Sequence, residues 1–341
     1  MLDMHSTMME NGLDFILDAA TELKSSEETT DSVMKRKNIK YSLLHLLSGI
    51  ELVLKSRLYI ENWTYIFSSM DKADKTKFVT GDFVSVECSN CTERLERLCN
   101  IKISADDKNT FDELRKSRNQ VEHFYSTESA QALESKINKA LTAIIQFIKS
   151  NYEEFVSPSI VDLRKNEMKA LSDTEKKYIE DINTVLADLS LHHKDALDLA
   201  LKRTENILAP GELMICPDCG ENTLVINDDE ADNRCHCYFC NYIDSGENVS
   251  RKYLSKILHL EEYSIVRNGG EYPLFTCPDC GKDSFVKINN SYVCFSCRMM
   301  YNEDEIRKCE ECGVLYTCYN KYDEGLCDSC REWLKEKIEK E

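Results

Sequence analysis

Arg118, Asn119 and His123 lie within the single stretch Asp112-Glu113-Leu114-Arg115-Lys116-Ser117-Arg118-Asn119-Gln120-Val121-Glu122-His123-Phe124, and their side chains are the ones a phosphate ester would need. The stretch reads as helix. At about 100° per residue Asn119 and His123 share a face, and the long Arg118 side chain reaches round from its flank. A guanidinium is permanently charged and shaped for phosphate oxygens, whereas an imidazole, with an unperturbed pKa of about 6.5, trades protons near neutrality. Together they make an RNA-cleaving pair. The same residues also allow a quieter account. Arg118 and Glu122 stand one helical turn apart and can form a solvated ion pair, and His123 suits a helix end, where the macrodipole favours a cation.

The second chemistry lies in the cysteines. Cys216 and Cys219 are followed, after 17 intervening residues, by Cys237 and Cys240; Cys277 and Cys280, after 13, by Cys294 and Cys297; Cys309 and Cys312, after 14, by Cys327 and Cys330. Each Cys-x-x-Cys knuckle points two thiolates into one site, and a second knuckle on an adjoining hairpin completes a tetrahedral shell. Gly220, Gly281 and Gly313 directly follow the second cysteine of each first pair, where a tight turn calls for positive φ. The spacing predicts three zinc ribbons holding three structural zinc ions, with every ligand position closed by protein. An iron–sulfur cluster uses the same ligands and is the minor alternative. Five cysteines stand outside this scheme. Cys235 could exchange with Cys237 in the first site, Cys318 falls between the knuckles of the third, and Cys88, Cys91 and Cys99 have no partner knuckle and read as helix-start and core residues.

The elements that must position these groups are mostly helical. Residues 11–24 and 33–62 read as helices, and in the second Leu43, Leu44, Leu46, Leu47, Ile50, Leu52, Val53 and Leu54 cover nearly the whole circumference, as in a helix at the centre of a bundle. Gly49 would permit close approach of a neighbour. His45 reads as a satisfied core histidine, and Glu51 as an ion pair with Lys55. Residues 70–87 read as an irregular polar connector. A short helix at 90–100 precedes the motif helix at 106–125, started by Asp106 or Asp107. An amphipathic helix carrying Leu133, Ile137, Leu141, Ile144, Ile148 and Phe155 closes a bundle of about five helices. Pro158 marks a break, and residues 173–208 give one or two further helices; the adjacent His192 and His193 read as surface residues.

The Arg-x4-His spacing of Arg118 and His123, with polar Asn119 after the arginine, resembles the motif of HEPN-domain ribonucleases. The resemblance extends to the long early helix Tyr41-Ser42-Leu43-Leu44-His45-Leu46-Leu47-Ser48-Gly49-Ile50-Glu51-Leu52-Val53-Leu54-Lys55-Ser56-Arg57-Leu58, and covers roughly residues 10–156 in its order of elements. It implies a HEPN-like helical bundle at 1–156; with the cysteine spacing and the breaks along the chain, this gives a mainly α protein with a helical extension or connector at 157–209, zinc ribbons at 210–245 and 273–301 joined by a linker helix at 246–272, and a third ribbon with a C-terminal helix at 302–341. It further implies a metal-independent endoribonuclease acting as a toxin or antiviral effector, and a homodimer in which two copies of Arg118 and His123 line one cleft around RNA. Asn119 would orient His123 or bind a phosphate oxygen.

Charge and length bound the rest. The 341 residues carry a formal net charge of −18, and residues 209–341 alone hold 15 basic and 26 acidic side chains. Each four-thiolate zinc site adds about two further negative charges, so the tail suits a regulatory protein partner better than a nucleic-acid backbone. RNA contact through Arg251, Lys252 and Lys256 is the minor reading. No apolar run approaches the roughly 20 residues needed to span a bilayer, and the N-terminus lacks a basic region before an apolar stretch. Cysteines paired for metal in a chain of this kind point to a reducing, cytoplasmic setting. The alternative to an enzyme is a noncatalytic binding or dimerisation protein whose ribbons are the working surface.

Overall fold

Apolar residues on every side of the second long helix leave it one stable place, the middle of a bundle, and that is where it lies. The computed structural model describes residues 4–123, 128–152, 170–204, 213–229, 234–318 and 325–339. The protein is mainly α-helical. Its contacts divide it into two units, Met1–Asp195 and Ala196–Glu341.

In the first unit, α1 (Met4–Glu28) and α2 (Ser32–Glu61) form a hairpin, with Asp31 capping α2 by accepting from the Val33 N–H at 2.9 Å. Gly12 and Gly49 meet where the two helices cross. A Cβ at Gly49 would lie 2.6 Å from Ile16 Cγ1 and 2.7 Å from the Gly12 carbonyl oxygen, so only glycine allows this approach. Ile39, Leu43, Leu46, Leu47, Ile50, Val53, Leu54 and Leu58 of α2 are all buried in one continuous core.

The stretch at 70–87 is more regular than its composition suggests. It contains α3 (Lys75–Thr80), capped by Asp74 and ended by Gly81 at φ +75°, and the Phe78 ring packs on Tyr59 and Trp63. Arg94 fastens the preceding turn to α4 (Cys88–Cys99) by donating to the carbonyls of Tyr65, Phe67 and Ser68. The motif helix, α5 (Ala105–His123), is capped by Ser104 rather than by an aspartate: the Ser104 hydroxyl accepts from the Asp107 N–H at 3.0 Å and donates to the Asp107 carboxylate at 2.7 Å. A hydroxyl just ahead of the helix satisfies the free N–H, which frees Asp107 to reach back.

α6 (Ala130–Asn151) and α7 (Asp173–Thr204), the latter as far as Asp195, complete the unit. α7 is one 32-residue helix, and its first part is no detached connector. Ile179, Ile182 and Leu189 enter the same core, Lys24 pairs with Asp188 at 2.5 Å, and exposed His192 meets Glu27 at 2.7 Å. Phe155, the expected break at Pro158 and the helix end beyond Thr204 lie outside the described residues.

The second unit is built from three small antiparallel sheets. β1 (Leu224–Asp229), β2 (Arg234–Cys237) and β3 (Ile243–Ser245) form one; β4 (Leu274–Thr276), β5 (Asp283–Ile288), β6 (Ser291–Cys294) and β7 (Met300–Asn302) another; β8 (Ile306–Lys308) and β9 (Leu315–Thr317) the third. The segment at 246–272 holds two helices, α8 (Gly246–Lys256) and α9 (Glu262–Arg267). α8 is more than a linker. Its Tyr253 ring lies 5.0 Å from that of Phe295, which wedges the helix between the first and second modules. α10 (Asp328–Glu339) is the last described element.

Candidate metal centres and the Arg118 helix

Local turns bring the cysteines together. In each first knuckle the glycine N–H donates to the carbonyl of the first cysteine, at 2.8 Å for Gly220, 3.0 Å for Gly281 and 2.8 Å for Gly313, and the three glycines have φ of +73°, +69° and +74°. Two of the second knuckles repeat the turn with a non-glycine residue: Asn241 at φ +59° and Arg298 at φ +64° donate to the carbonyls of Cys237 and Cys294. The third departs from the expected repeat. Cys327 precedes α10 and Cys330 lies in its first turn, because the residues after Cys330 continue as helix and supply no left-handed turn.

Three groups of four sulfurs result: Cys216, Cys219, Cys237 and Cys240; Cys277, Cys280, Cys294 and Cys297; Cys309, Cys312, Cys327 and Cys330. Within each group the sulfurs lie within 4.8 Å of one another. Sulfur pairs stand 3.8 and 3.7 Å apart in the first, 3.7 and 3.6 Å in the second, and 3.7 Å in the third. A tetrahedral ion with metal–sulfur bonds of about 2.3 Å needs an edge of about 3.8 Å. The residues therefore fit a tetrathiolate metal ion, whose shell four thiolates close.

Surrounding donors are arranged for charged sulfur. The Thr223 hydroxyl lies 3.1 Å from Cys237 Sγ and the Ser284 hydroxyl 3.3 Å from Cys294 Sγ, each four residues after the second cysteine of its module. The N–H groups of Ser296 and Cys297 also aim at Cys294 Sγ, and that of Cys327 at Cys309 Sγ. Sharing with the other three sulfurs, Cys216 first, holds the Cys237 thiol far below its usual range and pushes Cys219 and Cys240 above it. Cys277, with Ser284 and the two N–H groups, lowers Cys294 to about 5; the Cys327 and Cys312 N–H groups lower Cys309 to about 6. One sulfur per group thus carries charge readily while Cys219 and Cys240, Cys277 and Cys297, and Cys327 and Cys330 are pushed up, and a central divalent cation is what would let all four ionise together.

The spare cysteines are not part of these groups. Cys235 is buried and donates its S–H to the Phe295 carbonyl at 3.2 Å, facing the second module. Cys88 and Cys91 are core residues, with burial raising Cys88 to about 12 and Cys91 above its usual range; burial also raises half-exposed Cys99 to about 11. None of these is a ready nucleophile.

On α5 the half-buried Arg118 donates from Nη1 to the Asn119 side-chain oxygen at 3.2 Å, so the guanidinium and the amide stand together. His123 is the last residue of the helix, four positions after Asn119, and its side chain and that of Glu122 lie outside the described residues. Just before Arg118 is a feature no local pattern reveals. Buried Ser117 donates to Glu128 at 2.9 Å, and Lys136 of α6 pairs with the same carboxylate; the Lys136 and Glu128 side chains are only 10% and 9% exposed. These three residues tie the late part of α5 to the start of α6. The sole sequence signal was a lysine inside an otherwise apolar helical face.

Other expectations resolve individually. Glu51 pairs with Lys55 at 3.3 Å. His45 is not a satisfied core histidine: it is half-exposed beside Glu22, and its Nδ1 and the facing Glu22 Oε2, 3.4 Å apart, are buried atoms in no hydrogen bond. Lys252 is bound to Asp244 at 3.1 Å and Lys256 lies 3.6 Å from Asp218, which leaves Arg251 as the exposed cation of that trio. No helix among the described residues is long and apolar enough to cross a membrane. Comparison of the chain with protein-family models, with curated protein sequences and with solved structures gives no match.

Proposed function

We propose that this chain is a HEPN-type endoribonuclease that works without a divalent metal at its active site, a toxin or antiviral effector, with three structural zinc ions in its tail. The observation that carries the reading is the pairing of Arg118 with Asn119, partly open to solvent, on a helix whose preceding residue is fastened by the Ser117, Glu128 and Lys136 cluster. Anchoring of this kind keeps a phosphate-binding group in register. His123 would take the proton from a ribose 2′-hydroxyl as that oxygen attacks phosphorus, or deliver one to the 5′-oxygen as its bond to phosphorus breaks. Arg118 would bind the phosphate as charge grows on its oxygens, with Asn119 aligning it. The products are a cyclic 2′,3′-phosphate and a free 5′-hydroxyl. A homodimer would place two such sets in one cleft, and the thiols that bind no metal suit a reducing, cytoplasmic setting.

Zinc is the ion the closed four-cysteine groups suit best, and in modules this small it would take the place of a core. The decisive experiment is incubation of a mixed RNA pool with the purified protein, without added divalent metal, beside Arg118→Ala and His123→Ala. A general acid or base contributes about 100- to 10,000-fold, so His123→Ala should be nearly silent. A 3′-hydroxyl on the upstream fragment would refute the mechanism.

A second reading, a noncatalytic binding protein acting through its cysteine modules, draws on the pairing of Lys252 and Lys256 with aspartates, which leaves an acidic surface suited to a protein partner. It prevails if both α5 variants keep biological activity while cysteine substitutions abolish it.

A further inference from the structure

The face shared by α1 and the first half of α2 carries cations and rings that the reaction does not use. Lys35, from the basic run that begins α2, is bound to Glu134 of α6 at 2.9 Å. Two residues along α6, Lys136 joins Glu128 and Ser117, next to Arg118. These contacts set the start of α2 at the same end of the bundle as the Arg118 helix.

Arg36, Lys37 and Lys40 are exposed there, and among the described residues neither Arg36 nor Lys40 has an ion-pair or hydrogen-bond partner. Lys37 Nζ lies 5.9 Å from the centre of the Tyr41 ring. Tyr41 stacks on His45 at 6.3 Å and 29°, and the Phe15 ring lies 5.7 Å from that of His45 at 51°. Tyr41 and Phe15 remain 40% and 36% exposed, a large aromatic area for a helical surface. Asp18 and Glu22 bound the patch on the α1 side, and burial pushes the Glu22 carboxyl above its ordinary range.

We propose that this face binds single-stranded RNA, with bases stacking on Tyr41 and Phe15 and phosphates held by Arg36, Lys37 and Lys40. The inference deepens the ribonuclease reading and rests on it for the choice of RNA. Ring faces open to solvent accept any unpaired base, and adjacent free cations follow the backbone; the bases of a duplex are already stacked on each other. A second copy of the chain fits poorly, because a twofold contact sets each surface against itself and would oppose these cations to one another.

The test uses the full-length protein and a fluorescent single-stranded oligonucleotide of about 12 residues, near the upper site size of stacking domains, with 2′-O-methyl riboses that bar cleavage. Anisotropy across a salt series should show Tyr41→Ala weakening binding by about 5- to 150-fold. The double variant Arg36→Ala, Lys40→Ala should flatten the logarithmic salt dependence by about 1.4, at about 0.7 per phosphate contact on a single strand. Both sets of side chains are exposed, and circular dichroism checks that the variants are folded. Wild-type affinity and slope in both variants, or no binding by the wild type, overturns the proposal, as does a double variant that binds RNA normally but changes its sedimentation. Cleavage of ordinary RNA, assayed in parallel, separates the two readings. Binding that depends on Tyr41 without cleavage sinks the nuclease and keeps this face; cleavage with unaltered binding in both variants does the reverse.

Discussion

Replacement of Gly246 by alanine should pry the first two cysteine modules apart. Gly246 opens α8 just after its cap, Ser245, whose hydroxyl accepts from the Asn248 N–H. A Cβ there would lie 2.3 Å from the Phe295 carbonyl oxygen, 2.5 Å from its carbon and 2.5 Å from Ser296 Oγ, and these residues sit between Cys294 and Cys297. Two of the three obstacles are backbone atoms held by the knuckle and cannot swing aside. The modules must separate by about 0.7 Å before the contact reaches the 3.0 Å that real side chains tolerate. Overpacking of this kind costs about 1–3 kcal/mol, more than the helix preference of alanine over glycine, at most about 1 kcal/mol, can return. Cys235 supplies the readout. Its thiol is fully buried against the Phe295 carbonyl and belongs to none of the four-sulfur groups, so it reacts with an alkylating agent only when the modules open. A loss of about 1–3 kcal/mol should speed its labelling in the metal-loaded protein by about 5- to 150-fold, measured by mass spectrometry of the peptide. An unchanged Cys235 labelling rate would refute the packing argument.

Gly49→Ala tests the α1–α2 crossing by sign. In an open helix the change stabilises by about 1 kcal/mol, but here the Gly12 carbonyl and Ile16 stand in the way, so denaturant melts should show a net loss of about 1–3 kcal/mol. Chelator should strip the metal centres in order of exposure. The third group, with exposed Cys312, should empty first, and the first, all of whose cysteines are buried, last; simultaneous loss in native mass spectrometry would contradict this. Burial raises the Glu22 carboxyl above 4.5, so the native state holds its proton longer than the unfolded chain and this contribution to stability is lost as pH rises from about 4.5 through the raised value. Glu22→Gln should remove that fall from the pH profile of thermal unfolding, and a profile identical to wild type would count against the burial.

Elements decided by neighbours along the chain were legible in the residues themselves. Five of the six knuckles are turns of four residues, so the Cys-x-x-Cys spacing fixes where their sulfurs point, and Gly220, Gly281 and Gly313 mark left-handed positions. The centre of the bundle was equally plain, because a helix that is apolar on all sides has nowhere else to go. Elsewhere local pattern failed for identifiable reasons. Composition hid α3, whose stability comes from Phe78 packing on distant Tyr59 and Trp63. Spacing alone missed the helical second knuckle of the third module.

The sequence by itself determined the pairing of the knuckles into three groups, save for the choice between Cys235 and Cys237, and which helix is central, since each depends on period and spacing. Tertiary structure alone decided what lies opposite them. Cys235 and Cys237 fall on the same side of β2 by the two-residue period, yet Cys237 joins the metal group while Cys235 meets the Phe295 carbonyl. Long-range packing likewise sets Lys136 on Glu128 beside the Arg118 helix and leaves Tyr41 and Phe15 facing solvent around His45. Contacts between residues far apart in the chain obey no local period, and so they become visible only in the folded protein.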